Sequence, residues 1–173
     1  MTHLPAVFFS LLALIGLSTT AGAAVPSKPA AQAASTTGIY KIAIDPKVSL
    51  QEAADSMRLR ANALNLKLVA ELPLSKQVEA ITGKPQKTIT IFQFCDALGA
   101  KKLIDGNVDF AVFMPCRIAL IENEKGEGWL VMMDVNTDSI AREKRLSKEL
   151  KQKVEEVRAA LINIMKAGAS GDL

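Results

Sequence analysis

The longest apolar run comes first: Leu4 to Leu17 is almost unbroken. At that length it falls short of the roughly 20 residues a membrane-spanning helix needs. It gives way to small residues ending in Ala21-Gly22-Ala23, the small-x-small pattern that a signal peptidase cuts. Residues 1–23 are therefore expected to be a signal peptide cut after Ala23, giving a periplasmic or secreted chain with no stable membrane span. Before the run, only the α-amino group and His3 supply positive charge, so an uncleaved anchor is the competing reading. Residues 24–38 are rich in Ala, Pro, Ser and Thr with no periodicity, as in a flexible linker that cannot bury enough apolar surface to order itself.

From Ile39 onward, two periods alternate. Ile39–Ile44 reads as a strand halted at Asp45-Pro46, where proline removes a donor and fixes φ. Ser49-Leu50-Gln51-Glu52 is a capping box, and Leu50, Ala53, Ala54, Met57, Ala61 and Leu64 follow at helical spacing. A strand is expected over 66–72, a short helical turn over 75–82 closed by Gly83, and a β-branched and aromatic strand over 88–94. A short helix over 96–104 ends at Asp105-Gly106-Asn107. Two strands, 116–122 and 129–135, flank a hairpin connection. A long amphipathic helix is predicted from about Ile140 to Lys166, with its stripe on Leu146, Leu150, Val154, Val157, Leu161 and Ile164, and with Gly168 just past its last turn.

Five strands interrupted by helices predict an α+β domain, one mainly antiparallel sheet with helices on one face, plus the long C-terminal helix. The expected organisation is a domain over 39–137, the helix over 138–167 packed on it, and a tail over 168–173. The strands are apolar on both faces, where an antiparallel sheet would ordinarily turn one polar face to water. Pairing Arg117 with Asp134 in the last hairpin would put Cys116, Ile118 and Leu120 on one face with Trp129, Val131 and Met133, toward the helices. Ala119, Ile121, Leu130 and Met132 would line the other. A second apolar face needs cover, either from a twin subunit, from an apolar ligand, or from the chain's own loops and tether. A homodimer or a ligand groove between subunits is the expectation.

From about Ser49 to Asn136 the chain resembles the domain-of-unknown-function family numbered 302. The residues that carry the likeness are Asn65-Leu66-Lys67-Leu68-Val69, Ile89-Thr90-Ile91-Phe92-Gln93-Phe94-Cys95, Phe113-Met114-Pro115-Cys116-Arg117-Ile118-Ala119-Leu120 and Met132-Met133-Asp134, in that order. The resemblance implies a small curved sheet with helices on one side, often forming dimers, and brings no established activity. Where many members carry a Gly-Asn-Pro-like turn, this chain has Phe94-Cys95-Asp96, which suggests a cysteine-bearing, exported branch.

Composition narrows the chemistry. A formal net charge of +3 without a basic block shows no nucleic-acid footprint. The one histidine is His3, inside the segment expected to be removed. The mature chain would then lack His-dependent triads and His-ligated zinc or haem. No Gly-x-x-x-x-Gly-Lys or Gly-x-Gly-x-x-Gly pattern occurs, and no catalytic residue is identified.

The two cysteines leave three readings open. Cys95 and Cys116 could form a structural disulfide, lie as inert buried thiols, or act as a redox or soft-metal pair. Cys95, between a strand and a helix start, sits where the helix dipole can favour a thiolate. With Met114, Met132 and Met133 nearby in sequence, Cu(I) or a haem is conceivable, although methionines on strands more often fill a core. The expected function is a non-enzymatic exported domain binding a small apolar or soft-metal ligand, or a partner protein, in a pocket lined by Phe92, Phe94, Cys95, Met114, Cys116 and Met132. The alternatives are a thiol–disulfide redox protein using Cys95 and Cys116, and a structural accessory subunit.

Overall fold

A computed structural model of the chain describes residues 33–34, 38–135 and 146–172. The expected signal peptide, most of the linker and residues 140–145 of the expected final helix lie outside the described residues. Elements follow in the order β1 (Ala33–Ala34), β2 (Ile39–Ala43), α1 (Leu50–Ala63), β3 (Lys67–Leu72), α2 (Leu74–Thr82), β4 (Ile89–Cys95) and α3 (Ala97–Gly106). A 3₁₀ turn (Val108–Phe113), β5 (Cys116–Glu122), β6 (Gly128–Met133) and α4 (Lys148–Ser170) complete them. Among the described residues no helix is long and apolar enough to cross a membrane.

Local chemistry sets several of these boundaries. The Glu52 N–H donates to Ser49 Oγ at 3.1 Å and the Ser49 N–H donates to Glu52 Oε2 at 2.8 Å. This reciprocal cap satisfies two amides that have no partner within α1. Gly83 ends α2 in the left-handed region at φ +66°, which costs a glycine nothing. Asp96 caps α3 through the Gly99 N–H and reaches Lys153 on α4 at 3.1 Å, tying the two helices together.

All strand pairs are antiparallel, in the order β1-β2-β6-β5-β4-β3. Helices α1 and α4 cover one face. Phe92, Phe94, Ile118, Leu120, Leu130 and Met132 from the sheet meet Ala53, Met57 and Ala61 of α1 and Leu161, Ile164 and Met165 of α4 in a single core. Each large side chain buried there contributes about 1.5–3 kcal/mol. A second, smaller cluster of Leu103, Phe110 and Val154 joins α3, the 3₁₀ turn and α4, with Phe113, Met114 and Leu150 against it.

Three expectations are corrected. The hairpin register is Ile118↔Met132, Ala119↔Val131 and Leu120↔Leu130, one residue away from an Arg117–Asp134 pairing. Because side chains alternate along a strand, that single step exchanges the faces of the whole strand. Leu130 and Met132 face the helices, and Val131 and Trp129 turn away. Asp134 finds its cation on the last helix, where Arg158 Nε and Nη2 donate to its two carboxylate oxygens at 2.6 and 3.0 Å.

The final helix begins at Lys148, because the extended Ser147 caps it by accepting from the Leu150 N–H at 3.3 Å. Leu146 therefore precedes the helix. At the other end Gly171, at φ +73°, closes it, and Gly168 lies inside it. A Cβ on Gly168 would stand 2.6 Å from Met57 Cγ and 3.0 Å from the Ala53 carbonyl oxygen, so this glycine permits the close approach of α4 to α1.

Candidate functional site: the uncovered sheet face

The strand registers lay out the face away from α1 and α4 row by row. One row runs Ile91, Ala119, Val131, Lys41; the next runs Ile89, Ile121, Trp129, Ala43. At the end of the sheet near the 3₁₀ turn, Gln93 lies opposite Arg117 and Met133 opposite Ile39. Ile91, Ala119 and Val131 are half-buried, whereas Met133 and Ile39 are 50% and 45% exposed. Lys41 holds its ammonium 5.5 Å from the Trp129 ring centre, an arrangement that leaves its charge available at the surface.

A groove of about 520 Å³ opens on this face over Ile39, Ile91, Arg117, Ala119, Val131 and Met133. Its volume lies within the ~300–1,000 Å³ of small-molecule sites, and its mostly apolar lining with one polar anchor is the usual composition of such sites. Around the end of β5 and β6 the groove reaches Phe113, Val135 and Leu161. These three, with Met132 and Met133, also wall a cavity of about 40 Å³ beneath Leu103 and Phe110. Arg117 is exposed and makes no ion pair with any other described residue. Among the described residues it is the one charged residue lining the groove.

The six residues expected to line one pocket fall in different places. Phe92 and Phe94 are 1% and 0% exposed, on the helix-covered side, with ring centres 6.3 Å apart. They are core and meet no groove. Met132 is buried among the same residues but its edge lines both the groove and the small cavity. Met114 lines the cavity, and Cys116, which packs against the main core, lines the groove. Cys95 shares the uncovered face with Ile91 and Gln93 by strand alternation. The structure thus gathers Phe92, Phe94 and Met132 in the core with Cys116 against it, and only Met132, Cys116 and Met114 of the six reach the groove or the cavity. Arg117, Ile91, Val131 and Met133 do the lining instead.

The thiols are unbonded. Cys116 pairs with Phe94 across β4 and β5, so Cys95, one residue on, points to the opposite side of the sheet from Cys116. Among the described residues, no group of three or more His, Cys, Asp or Glu could hold a metal. Burial pushes the Cys95 thiol up, and the neighbouring Asp96 carboxylate adds to this. Any help the dipole of α3 gives a thiolate there is outweighed. Cys116 is pushed up to about 11, by burial first and by Cys95 second, with Arg117 opposing. Both are thiols at neutral pH.

The sequence profile of a family described as a domain of unknown function, DUF302, matches residues 41–168. No curated protein matches the chain. The fold is similar to the crystal structure of an uncharacterized conserved DUF302 protein from Bacillus stearothermophilus. The TM-score is 0.63 at 11% identity, over 76% of this chain and 98% of that one. At that identity the likeness establishes the fold.

Proposed function

The chain belongs to the DUF302 family, and from that premise we propose that it is an exported, non-enzymatic binding domain. On this reading it takes a small apolar ligand on the uncovered face of its sheet. The observation that carries the reading is the groove over Ile91, Ala119, Val131 and Met133, an apolar surface on the one side of the sheet that α1 and α4 leave bare. Export follows from the apolar leader and its Ala21-Gly22-Ala23 ending. Removal of that leader takes away the one histidine, His3, which favours binding over acid–base or nucleophilic chemistry. Two protonated thiols on opposite sides of a strand pair favour it over thiol–disulfide exchange, which needs a thiolate.

The test uses full-length protein expressed with its own leader and recovered from the exported fraction. Native mass spectrometry is expected to show a chain beginning at Ala24. The neutral apolar probe N-phenyl-1-naphthylamine is expected to brighten on addition. Val131→Asp, which places a charge in the groove, is expected to abolish that signal while the circular dichroism spectrum stays unchanged. A dimer that excludes the probe would overturn the reading in favour of self-association through the same face. Probe uptake that Val131→Asp leaves intact would overturn the site.

A further inference from the structure

The groove has a polarity that specifies its ligand further. This step rests on the reading above. We infer that the ligand is a long-chain carboxylate, with its head group on Arg117 and its hydrocarbon chain laid over Ile91, Ala119 and Val131 toward the cavity behind Met133.

Three independent observations converge on that class. The first is charge. Among the described residues Arg117 is the one ionic side chain lining the groove, and the rows across the face add a second cation, Lys41, and no carboxylate. An apolar cation would meet repulsion here, whereas an anion meets none.

The second is availability. Arg58 and Arg158 both engage carboxylates, Glu71 and Asp134 respectively. Arg117 has no such partner among the described residues. Among the described residues its planar fork is open to bidentate pairing with an incoming carboxylate, and no ion pair has to break first.

The third is shape. The groove and the 40 Å³ cavity share Phe113, Met132, Met133, Val135 and Leu161 as walls. That cavity is small and mainly apolar, and Arg158, already paired with Asp134, stands at its wall. Its size suits the end of a thin, linear chain better than a ring. Two of the five dividing residues are methionines, whose unbranched side chains re-pack at low cost. A ligand with one anionic end and one slender apolar end matches the charge at one extremity and the narrowing at the other.

The experiment displaces N-phenyl-1-naphthylamine from the mature protein with oleate, oleyl alcohol or butyrate, each kept below any micelle threshold. Oleate is expected to bind at least tenfold more tightly than oleyl alcohol, a difference of about 1.4 kcal/mol, and butyrate is expected to leave the probe in place. Arg117→Gln should bring oleate down to the level of oleyl alcohol and leave oleyl alcohol unchanged. Arg117→Lys should restore part of the gap. Equal binding of oleate and oleyl alcohol, or a gap that survives Arg117→Gln, would overturn the head-group assignment while the binding reading stands. Displacement by neither long-chain compound, in a protein that takes up the probe, overturns the chain assignment. Failure to take up the probe at all removes the binding reading itself. Sedimentation with phosphatidylglycerol vesicles in a protein that ignores monomeric oleate would overturn the inference in favour of a membrane surface.

Discussion

The two faces of this sheet come from the same strands and from much the same residue types, and the helices treat them in opposite ways. On one face Phe92, Phe94, Ile118, Leu120 and Leu130 are at most 2% exposed beneath α1 and α4. On the other, Ile91, Ala119 and Val131 remain half-buried, and Ile39 and Met133 are about half exposed. Burial on the first side supplies most of the folding free energy. Apolar surface left open on the second contributes little to stability and is costly to maintain in water, and patches of this kind mark binding sites. Buried and open apolar surface are thus divided between even and odd positions of one strand, and on the proposed reading stability and recognition divide with them. A residue's function can be read from its register more surely than from its type.

Substitutions on either side should therefore separate stability from binding. Phe94→Ala, on the covered face, is expected to lower the unfolding free energy by about 3–5 kcal/mol. Urea unfolding followed by circular dichroism measures this, and a loss under about 1 kcal/mol would mean that the covered face is not the structural one.

A second effect is pH-dependent and belongs to Cys116 at the boundary. Its folded thiol is raised from 9.0 to about 11, so the unfolded chain releases that proton first. The contribution is complete below pH 9 and is lost as pH climbs through 11. Over that interval the wild type should lose about 2 kcal/mol relative to Cys116→Ala. Parallel pH profiles for the two proteins would contradict the burial of that sulfur.

The smallest change is expected from Val131→Thr on the open face. Stability should move by no more than about 0.5 kcal/mol, while the affinity for N-phenyl-1-naphthylamine falls several-fold. A large stability loss here would show that Val131 belongs to a core after all.

What the amino-acid pattern disclosed follows from the range of the interactions involved. The Ser49–Glu52 cap, the glycine at 83 and the β5–β6 hairpin are settled by neighbours a few residues apart and stand where the pattern puts them, and the strand expected over 88–94 is found one residue on, at Ile89–Cys95. The hairpin's register was another matter. An attraction between Arg117 and Asp134 is a reasonable local guess, but Asp134 is claimed by Arg158 from a distant helix, and the lost residue of register exchanged the two faces. Gly168 was read as a helix end because glycine often marks one. Its real task, letting α4 approach Ala53, involves a contact over a hundred positions away. The 3₁₀ turn over Val108–Phe113 has no period to detect, so nothing local points to Phe113 as a wall of the groove. The candidate site depends on the same distant contacts. Phe92 and Phe94, large and aromatic, are core for that reason. Arg117, expected opposite Asp134, lies opposite Gln93 across β4 and β5. The alternation of Ile91 with Phe92 was visible throughout, but which of the two faced the helices depended on chain segments far away.

Sheet order carries a consequence for how the protein comes into being. β2 has only the two-residue β1 beside it from the preceding chain; its other neighbour is β6, and Ile39 waits for Met133. During synthesis β2 can meet its main partner only after residue 133 has emerged, and closing that long loop is entropically slow. The last hairpin therefore acts as the latch that joins the start of the domain to the rest of the sheet.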